Sequence, residues 1–233
     1  MKMKKLVILT GAGMSAESGF STFRDSGGLW EKYNVEDVAS PDGWERNPEM
    51  VLDFYNGLRK QLMQAKPNAG HQGLYELEQD YDVKIITQNV DDLHERAGNH
   101  NVLHLHGELM KVRPVNRENE IYTLTPENCE IHLGDKDKNG IQLRPHIVWF
   151  GEPVPMIEKA IEWTEEADIF VIIGTSLNVY PAAGLIHYVR KGIPIYLIDP
   201  QEVHIPSGLP VHIIHKGAGE GVKELVQILK SHL

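Results

Sequence analysis

The sequence predicts an α/β protein built on a doubly wound parallel sheet of Rossmann-like type, with a smaller inserted subdomain. Three observations carry this. Short apolar runs recur along the chain, at Leu6-Val7-Ile8-Leu9, Val83-Lys84-Ile85-Ile86, Ile169 to Ile173, Ile193 to Ile198 and Val211 to Ile214. Runs of that length are what strands buried on both faces look like. Most of them end in small or polar residues, and helical text separates them, which is the βαβ signature.

The first run feeds Thr10-Gly11-Ala12-Gly13-Met14-Ser15-Ala16-Glu17-Ser18-Gly19. Gly11 and Gly13 have no side chains to keep a pyrophosphate from backbone N–H groups, and a helix N-terminus adds partial positive charge. A Gly-x-Gly after a strand also serves as a plain tight βα turn, so both readings stand at this point. From Glu31 to Gln79 the text is helical. Val51, Leu52, Phe54, Tyr55, Leu58 and Leu62 recur at spacings of three and four, with Asn47-Pro48 as a start and Pro67-Asn68 as a stop. His71 opens a second helix over Gly73 to Gln79, as a cap, a packing residue or a functional group.

The second strand runs into Thr87-Gln88-Asn89-Val90-Asp91-Asp92, polar residues where open α/β sheets bind ligands. In Leu103-His104-Leu105-His106-Gly107, alternation puts both histidines on one face. They could be metal ligands, but a catalytic zinc needs three, and no third stands at a convincing spacing.

Met110 to Leu143 is a polar excursion with hairpin-type turns around the β-like Ile121-Tyr122-Thr123-Leu124. Apolar text returns at Ile147-Val148-Trp149-Phe150-Gly151-Glu152, where Trp149 and Phe150 read by default as core. A helix over Met156 to Glu166 leads to the strand Ile169 to Ile173, which ends in a second small-residue turn, Gly174-Thr175-Ser176. Helical text over Ala182 to Lys191, a strand closing on Asp199-Pro200, another at Val211 to Ile214, Gly217-Ala218-Gly219 and a helix over Val222 to Leu233 complete the pattern.

Length and composition fit one domain over 1–233 with an inserted subdomain, with 233 residues, 41% of them apolar. The large Rossmann-like part is expected over 1–33, 80–107 and 145–233. The small subdomain, a helical module and a β-hairpin-like module, is expected over 34–79 and 108–144. A net charge of −10 argues against nucleic-acid binding and leaves room for a basic peptide partner. Cys129 is the only cysteine, which excludes an internal disulfide and any all-cysteine zinc site. The basic start, Met1-Lys2-Met3-Lys4-Lys5, precedes an apolar run too short for a signal peptide, and no stretch approaches the ~20 apolar residues that span a bilayer. A cytoplasmic protein without membrane contact is expected, and a monomer.

These pieces together resemble the sirtuin family, the NAD-dependent protein deacylases. The matching stretches are Gly11 through Gly19, Phe23-Arg24-Asp25, Gly28-Leu29-Trp30, Thr87-Gln88-Asn89-Val90-Asp91, His104-Leu105-His106-Gly107, Val148-Trp149-Phe150-Gly151-Glu152, and Gly174-Thr175-Ser176 through Tyr180-Pro181-Ala182-Ala183. They stand in the family's order and span most of the chain. Leu93-His94-Glu95-Arg96-Ala97-Gly98 and Leu143-Arg144-Pro145-His146 resemble short bacterial members.

The resemblance implies that NAD is consumed as a co-substrate. Its nicotinamide is released while an acyl-lysine amide oxygen attacks the ribose carbon, and the acyl group passes to ADP-ribose. It implies that Gly11, Ala12, Gly13, Glu17, Gly174, Thr175 and Ser176 surround the phosphates and adjoining ribose. Phe23 and Arg24 belong to the loop that closes over NAD, and Trp30 is a further cofactor contact. Asn89 and Asp91 form the nicotinamide pocket, and Gln88 contacts the ribose. His106 matches the general base that deprotonates a ribose hydroxyl, a task that suits an unperturbed pKa of about 6.5. His104 shares its face, but the glycine after His106 marks the family position. Asp199 resembles the adenosine-side acceptor and Ala218 the adenine contact. Val148 to Glu152 resembles the segment that pairs with substrate backbone as an added strand, with Tyr55 lining the acyl pocket.

Two departures bear on chemistry. Relatives with a structural zinc carry two Cys-x-x-Cys pairs between the His106-Gly107 and Leu143-Arg144-Pro145 positions, so with Cys129 alone no metal is expected. The excursion is then held by Ile121, Tyr122, Leu124 and Ile131 packing together. Relatives that prefer succinyl- or malonyl-lysine carry Tyr-x-x-Arg; here Tyr55 is followed by Leu58, and Arg59 lies roughly 100° around the helix. A neutral acyl group is therefore expected. Mono-ADP-ribosyl transfer and an NAD-responsive binding module are the alternatives, while an ordinary dehydrogenase leaves Gln88 to Asp91 and His106 unexplained.

Overall fold

Six parallel strands, in the spatial order β3-β2-β1-β7-β8-β9, carry the larger half of the molecule. The computed structural model describes residues 3–20, 32–206 and 208–231. The strands are β1 (Lys5–Thr10), β2 (Asp82–Thr87), β3 (Val102–His104), β7 (Ile169–Ile173), β8 (Ile195–Ile198) and β9 (Val211–Ile214). In β1 alternate residues serve opposite layers. Leu6 and Ile8 pack with Leu74, Leu77, Val222 and Leu225, while Val7 and Leu9 pack with Ala160, Ala182, Leu185 and Ile186. Each such aliphatic side chain contributes roughly 1.5–3 kcal/mol by leaving water.

From β1 the chain leaves for β2 on one side of the sheet, and it later returns as β7 on the other. That reversal places a crevice outside the carboxyl ends of β1 and β7, the general location for ligands in such sheets.

Helices α1 (Val35–Val38), α2 (Pro41–Arg46), α3 (Pro48–Gln64) and α4 (Ala69–Glu76) fill the helical module. Their starts are set by side-chain caps: Ser40 accepts from Gly43 N, Asn47 from Met50 N, and Asn68 from the Gly70 and His71 amides. His71 Nδ1 accepts in return from Asn68 N, so this histidine caps a helix that begins at Ala69, earlier than the apolar spacing suggested. Asn68 also donates to the Met14 carbonyl and the Ser18 hydroxyl, which ties α4 to the glycine-turn segment.

The second sheet is antiparallel, in the order β5-β4-β6, from β4 (Gly107–Pro114), β5 (Tyr122–Thr123) and β6 (Leu143–Ile147). Its core corrects the expected packing. Leu124 and Ile131 join Leu52, Val112, Leu143 and Trp44, whereas Ile121 and Tyr122 are exposed. The polar residues around them gave no periodicity from which to choose the inward face. Asn56 of α3 supplies a second fastening, donating to the Ile131 carbonyl and accepting from its amide.

Three boundaries differ from the sequence reading. Helix α6 spans Ile157–Glu165 after the short α5 (Leu93–Ala97), and Ala182–Tyr188 winds as a 3₁₀ stretch that stops before Lys191. The closing helix α7 spans Ala218–Lys230, four residues earlier than its first apolar anchor, because glycines carry its first turn. Among the described residues no helix is long and apolar enough to cross a membrane.

Candidate active site

A cleft of about 610 Å³ lies at the carboxyl ends of β1, β2 and β7, within the size range of small-molecule sites. One end is made by the two small-residue turns. Gly11 N donates to the Ile173 carbonyl and Gly13 N to the Gly174 carbonyl, each at 2.9 Å. A methyl on Gly11 would sit 2.6 Å from Thr175 Cβ, and one on Gly13 would sit 2.7 Å from Gly174 Cα. This corrects the reason the glycines are needed. Their N–H groups are already bonded, and what they permit is the approach of two main chains. Glu17 closes this end from behind, its carboxylate accepting from Gly219 N in the first turn of α7.

The other end is a cluster of buried side chains on the loop after β2. Asn89 Nδ2 donates to the Gly11 carbonyl at 3.0 Å and to Ser15 Oγ at 3.2 Å. Ser15 Oγ donates to Asp91 Oδ2 at 2.9 Å, and Asp91 Oδ1 accepts from Leu93 N. Gln88 Nε2 reaches Thr175 Oγ1 at 3.1 Å, bridging to the second turn. Burial pushes the Asp91 carboxyl up to about 6, against the opposing pull of its bonds from Ser15 and Leu93.

His106 faces the same cleft. Its Nδ1 lies 3.0 Å from the Gln88 carbonyl, and a carbonyl only accepts, so Nδ1 carries the proton and Nε2 keeps a lone pair. Burial lowers its pKa below the usual histidine value, with the Gln88 bond opposing. The imidazole is thus neutral at pH 7 and able to take a proton.

The third wall comes from α3 and the residues after β6. Trp149 is buried and donates its indole N–H to the Tyr55 hydroxyl at 3.0 Å. Arg144 stacks on the Trp149 ring at 3.3 Å and holds both Glu152 oxygens, at 2.7 and 3.1 Å. Leu58 is buried and lines the cleft, whereas Arg59 turns away to bond the Leu109 carbonyl and Asn56 Oδ1. Phe150, read from sequence as core, is 54% exposed.

A model of the Sir2 family matches residues 11–181. The chain belongs to the Sir2 family. A Bacteroides thetaiotaomicron protein named NAD-dependent protein deacylase is 60% identical over 230 residues, covering 97% of this chain and 98% of that protein. A crystal structure of a Sir2 homologue–NAD complex superposes with a TM-score of 0.88 at 40% identity, over 99% of this chain and 91% of the other. A Sir2 protein bound to acetylated peptide gives 0.82 at 29% identity, over 98% and 94%.

In this Sir2-family chain the cleft brings together Gly11, Ala12, Gly13, Glu17, Gln88, Asn89, Asp91, His106, Gly174, Thr175, Ser176 and Asp199 with Tyr55 and Val148 to Glu152. Phe23, Arg24 and Trp30 lie outside the described residues. Ala218, the first residue of α7, packs in the core, and its neighbour Gly217 lines the cleft. Ser15 was missed because a serine after a glycine turn reads as a helix start. Among the described residues the two histidines do not share one ligand group; His104 instead meets two carboxylates. Glu95 and Glu108 come from α5 and β4, with ligand atoms of all three within 4.8 Å of one another. Lys111 Nζ already sits 2.5 Å from Glu108.

Proposed function

We propose that this cleft binds NAD with its phosphates beside the turns at Gly11 to Gly13 and Gly174 to Ser176, and its nicotinamide end beside Asn89 and Asp91. The activity is NAD-dependent protein deacylation, which the family match and the near-full-length identity to a named deacylase support. NAD would supply a ribose carbon that exchanges nicotinamide for the acyl amide oxygen, and a ribose hydroxyl that then takes the acyl group. The carrying observation for the site is the His106 imidazole, its tautomer fixed by the Gln88 carbonyl, in one cleft with both turns. His106 Nε2 accepts the proton of a ribose hydroxyl, Asn89 and Asp91 orient the leaving carboxamide, and Gln88 faces the ribose. Asp199 accepts from the adenosine side.

The acyl-lysine stem enters past Tyr55, Trp149 and Leu58. The amides of Val148, Trp149, Phe150 and Glu152 already bond to His106 O, Glu152 Oε2, Ala39 O and Trp149 O. A substrate chain added along this segment therefore draws mainly on its carbonyls. Mass spectrometry of products from NAD and acetyl-lysine peptide tests the whole reading. Nicotinamide with O-acetyl-ADP-ribose is expected; a peptide gaining ADP-ribose, or no NAD consumption, overturns it.

The finer reading is a preference for neutral acyl groups without a structural zinc. Leu58 in the cleft wall, with Arg59 spent on Leu109 and Asn56, supports the first. Leu58→Arg is expected to raise the succinyl-to-acetyl ratio of kcat/KM by about tenfold, as a guanidinium fork meets a carboxylate. An unchanged ratio counts against it. The Asn56–Ile131 fastening and the Leu52, Val112 and Ile131 cluster support the second. About one zinc per chain in tag-free protein would refute it.

A further inference from the structure

His104 and His106 stand two residues apart on one face, and each holds a successive carbonyl of the loop after β2. His106 Nδ1 lies 3.0 Å from the Gln88 carbonyl, and His104 Nδ1 lies 3.0 Å from the Asn89 carbonyl. Both therefore carry the proton on Nδ1. They differ at the far nitrogen. His106 lines the cleft, whereas His104 Nε2 lies 2.8 Å from Glu95 Oε1 of α5, with only 7% of the His104 side chain exposed.

We propose that His104 and Glu95 form a positioning pair that clamps the Asn89 carbonyl and so sets the Asn89 and Asp91 side chains at the reacting end. This rests on the reading above, in which those side chains face the nicotinamide.

Asn89 is held from three sides: its amide N donates to Thr87 Oγ1, its side chain to Gly11 O and Ser15 Oγ, and its carbonyl accepts from His104. Of these anchors only His104 can carry a full charge. Burial, the largest single influence, would depress its pKa, but the bond and charge of Glu95, the Glu108 charge and the Asn89 carbonyl together hold the imidazole above its ordinary value, while His104 in turn holds Glu95 below its own. The charged and titratable groups around the pair include Glu108 and Lys111 from β4, His94 from α5, His71 from α4, and Asp91 and Asp92 from the loop. A charge-assisted bond is the stronger kind, so the ionised pair grips the loop more tightly than a neutral donor would.

Steady-state kinetics with NAD and acetyl-lysine peptide test this on His104→Leu, His104→Asn and Glu95→Gln. His104→Leu should raise the KM for NAD and the nicotinamide inhibition constant together by about tenfold, with the KM for peptide within about twofold. His104→Asn places an amide donor where Nδ1–H stood and should recover most of the loss, and Glu95→Gln should fall between. Should the leucine variant not fold, the two polar variants carry the same comparison against wild type. The proposal is overturned if the NAD and nicotinamide constants stay within twofold, if asparagine is no better than leucine, or if the peptide KM moves equally. Asn89→Ala separates the two levels. If it shifts the nicotinamide constant while His104→Leu does not, only the positioning role fails; if it shifts nothing, the site reading fails and takes this proposal with it.

Discussion

At one end of the cleft the contacts run from main chain to main chain, and at the other from side chain to side chain. Gly11 and Gly13 donate backbone N–H groups to the carbonyls of Ile173 and Gly174, a joint that two methyl groups would break. Asn89, Ser15 and Asp91 instead form a chain of side-chain bonds, while the Gln88 side chain bonds Thr175 and its carbonyl holds His106. The first end fixes shape. The second stores electrostatic cost, because Asp91 titrates near 6 when folded and near 3.9 when unfolded. Between those values the folded chain holds a proton that the unfolded chain has released. The stability due to Asp91 is thus fullest below about pH 4 and is lost as pH rises through about 6, on the order of 1–3 kcal/mol. At neutral pH the reacting end is held ionised at the expense of stability.

If chemistry and shape are divided this way, His106→Ala should show the largest effect and only on turnover. Loss of a general base costs about 10² to 10⁴ in kcat. Binding of NAD, followed by calorimetry, should stay within a few-fold because the turns are untouched. A variant that binds NAD as poorly as it turns over would break the division.

Gly13→Ala probes the opposite end. The added methyl meets backbone at Gly174, which cannot swing aside as a flexible side chain would. We expect a loss of about 1–3 kcal/mol in stability, in the range seen for overpacking. Affinity for NAD should fall about tenfold, and kcat at saturating NAD should be the least altered quantity. Thermal melts with and without NAD measure both, and a kcat loss matching that of His106→Ala would count against the comparison.

The contrast also explains what could be read in advance. Strands buried on both faces announce themselves as apolar runs, and the doubly wound order then places their carboxyl ends together, so the turns at Gly11 and Gly174 and the loop at Gln88 to Asp91 were legible. His106 was legible through the glycine after it. The role of Gly13 was not, since its close approach to Gly174 is set by the long-range β1–β7 pairing. Ala218 is expected at the adenine only from the family resemblance; its flanking glycines make room for the Glu17 carboxylate, and its methyl packs in the core, neither of which spacing records. Glu95 against His104 pairs α5 with β3, and no periodicity in either element records that meeting.

The smallest expected effect belongs to Ser15, the residue that joins the two ends. It sits in the segment after the glycine turn, yet its hydroxyl donates to Asp91 Oδ2 and accepts from Asn89 Nδ2. Its bond to Asp91 favours the ionised carboxylate. Ser15→Ala removes that bond, so the Asp91 pKa rises further, and at a given pH less of the enzyme carries the carboxylate. Activity should therefore fall only a few-fold at pH 8, where Asp91 still ionises, and more steeply near pH 6. The acid limb of kcat/KM for NAD should move toward neutrality, the direction opposite to what weakening a base-stabilised histidine would give. A limb that stays in place, with the same few-fold loss at every pH, would mean that Ser15 serves only the shape of the turn and that the two ends are not electrostatically joined.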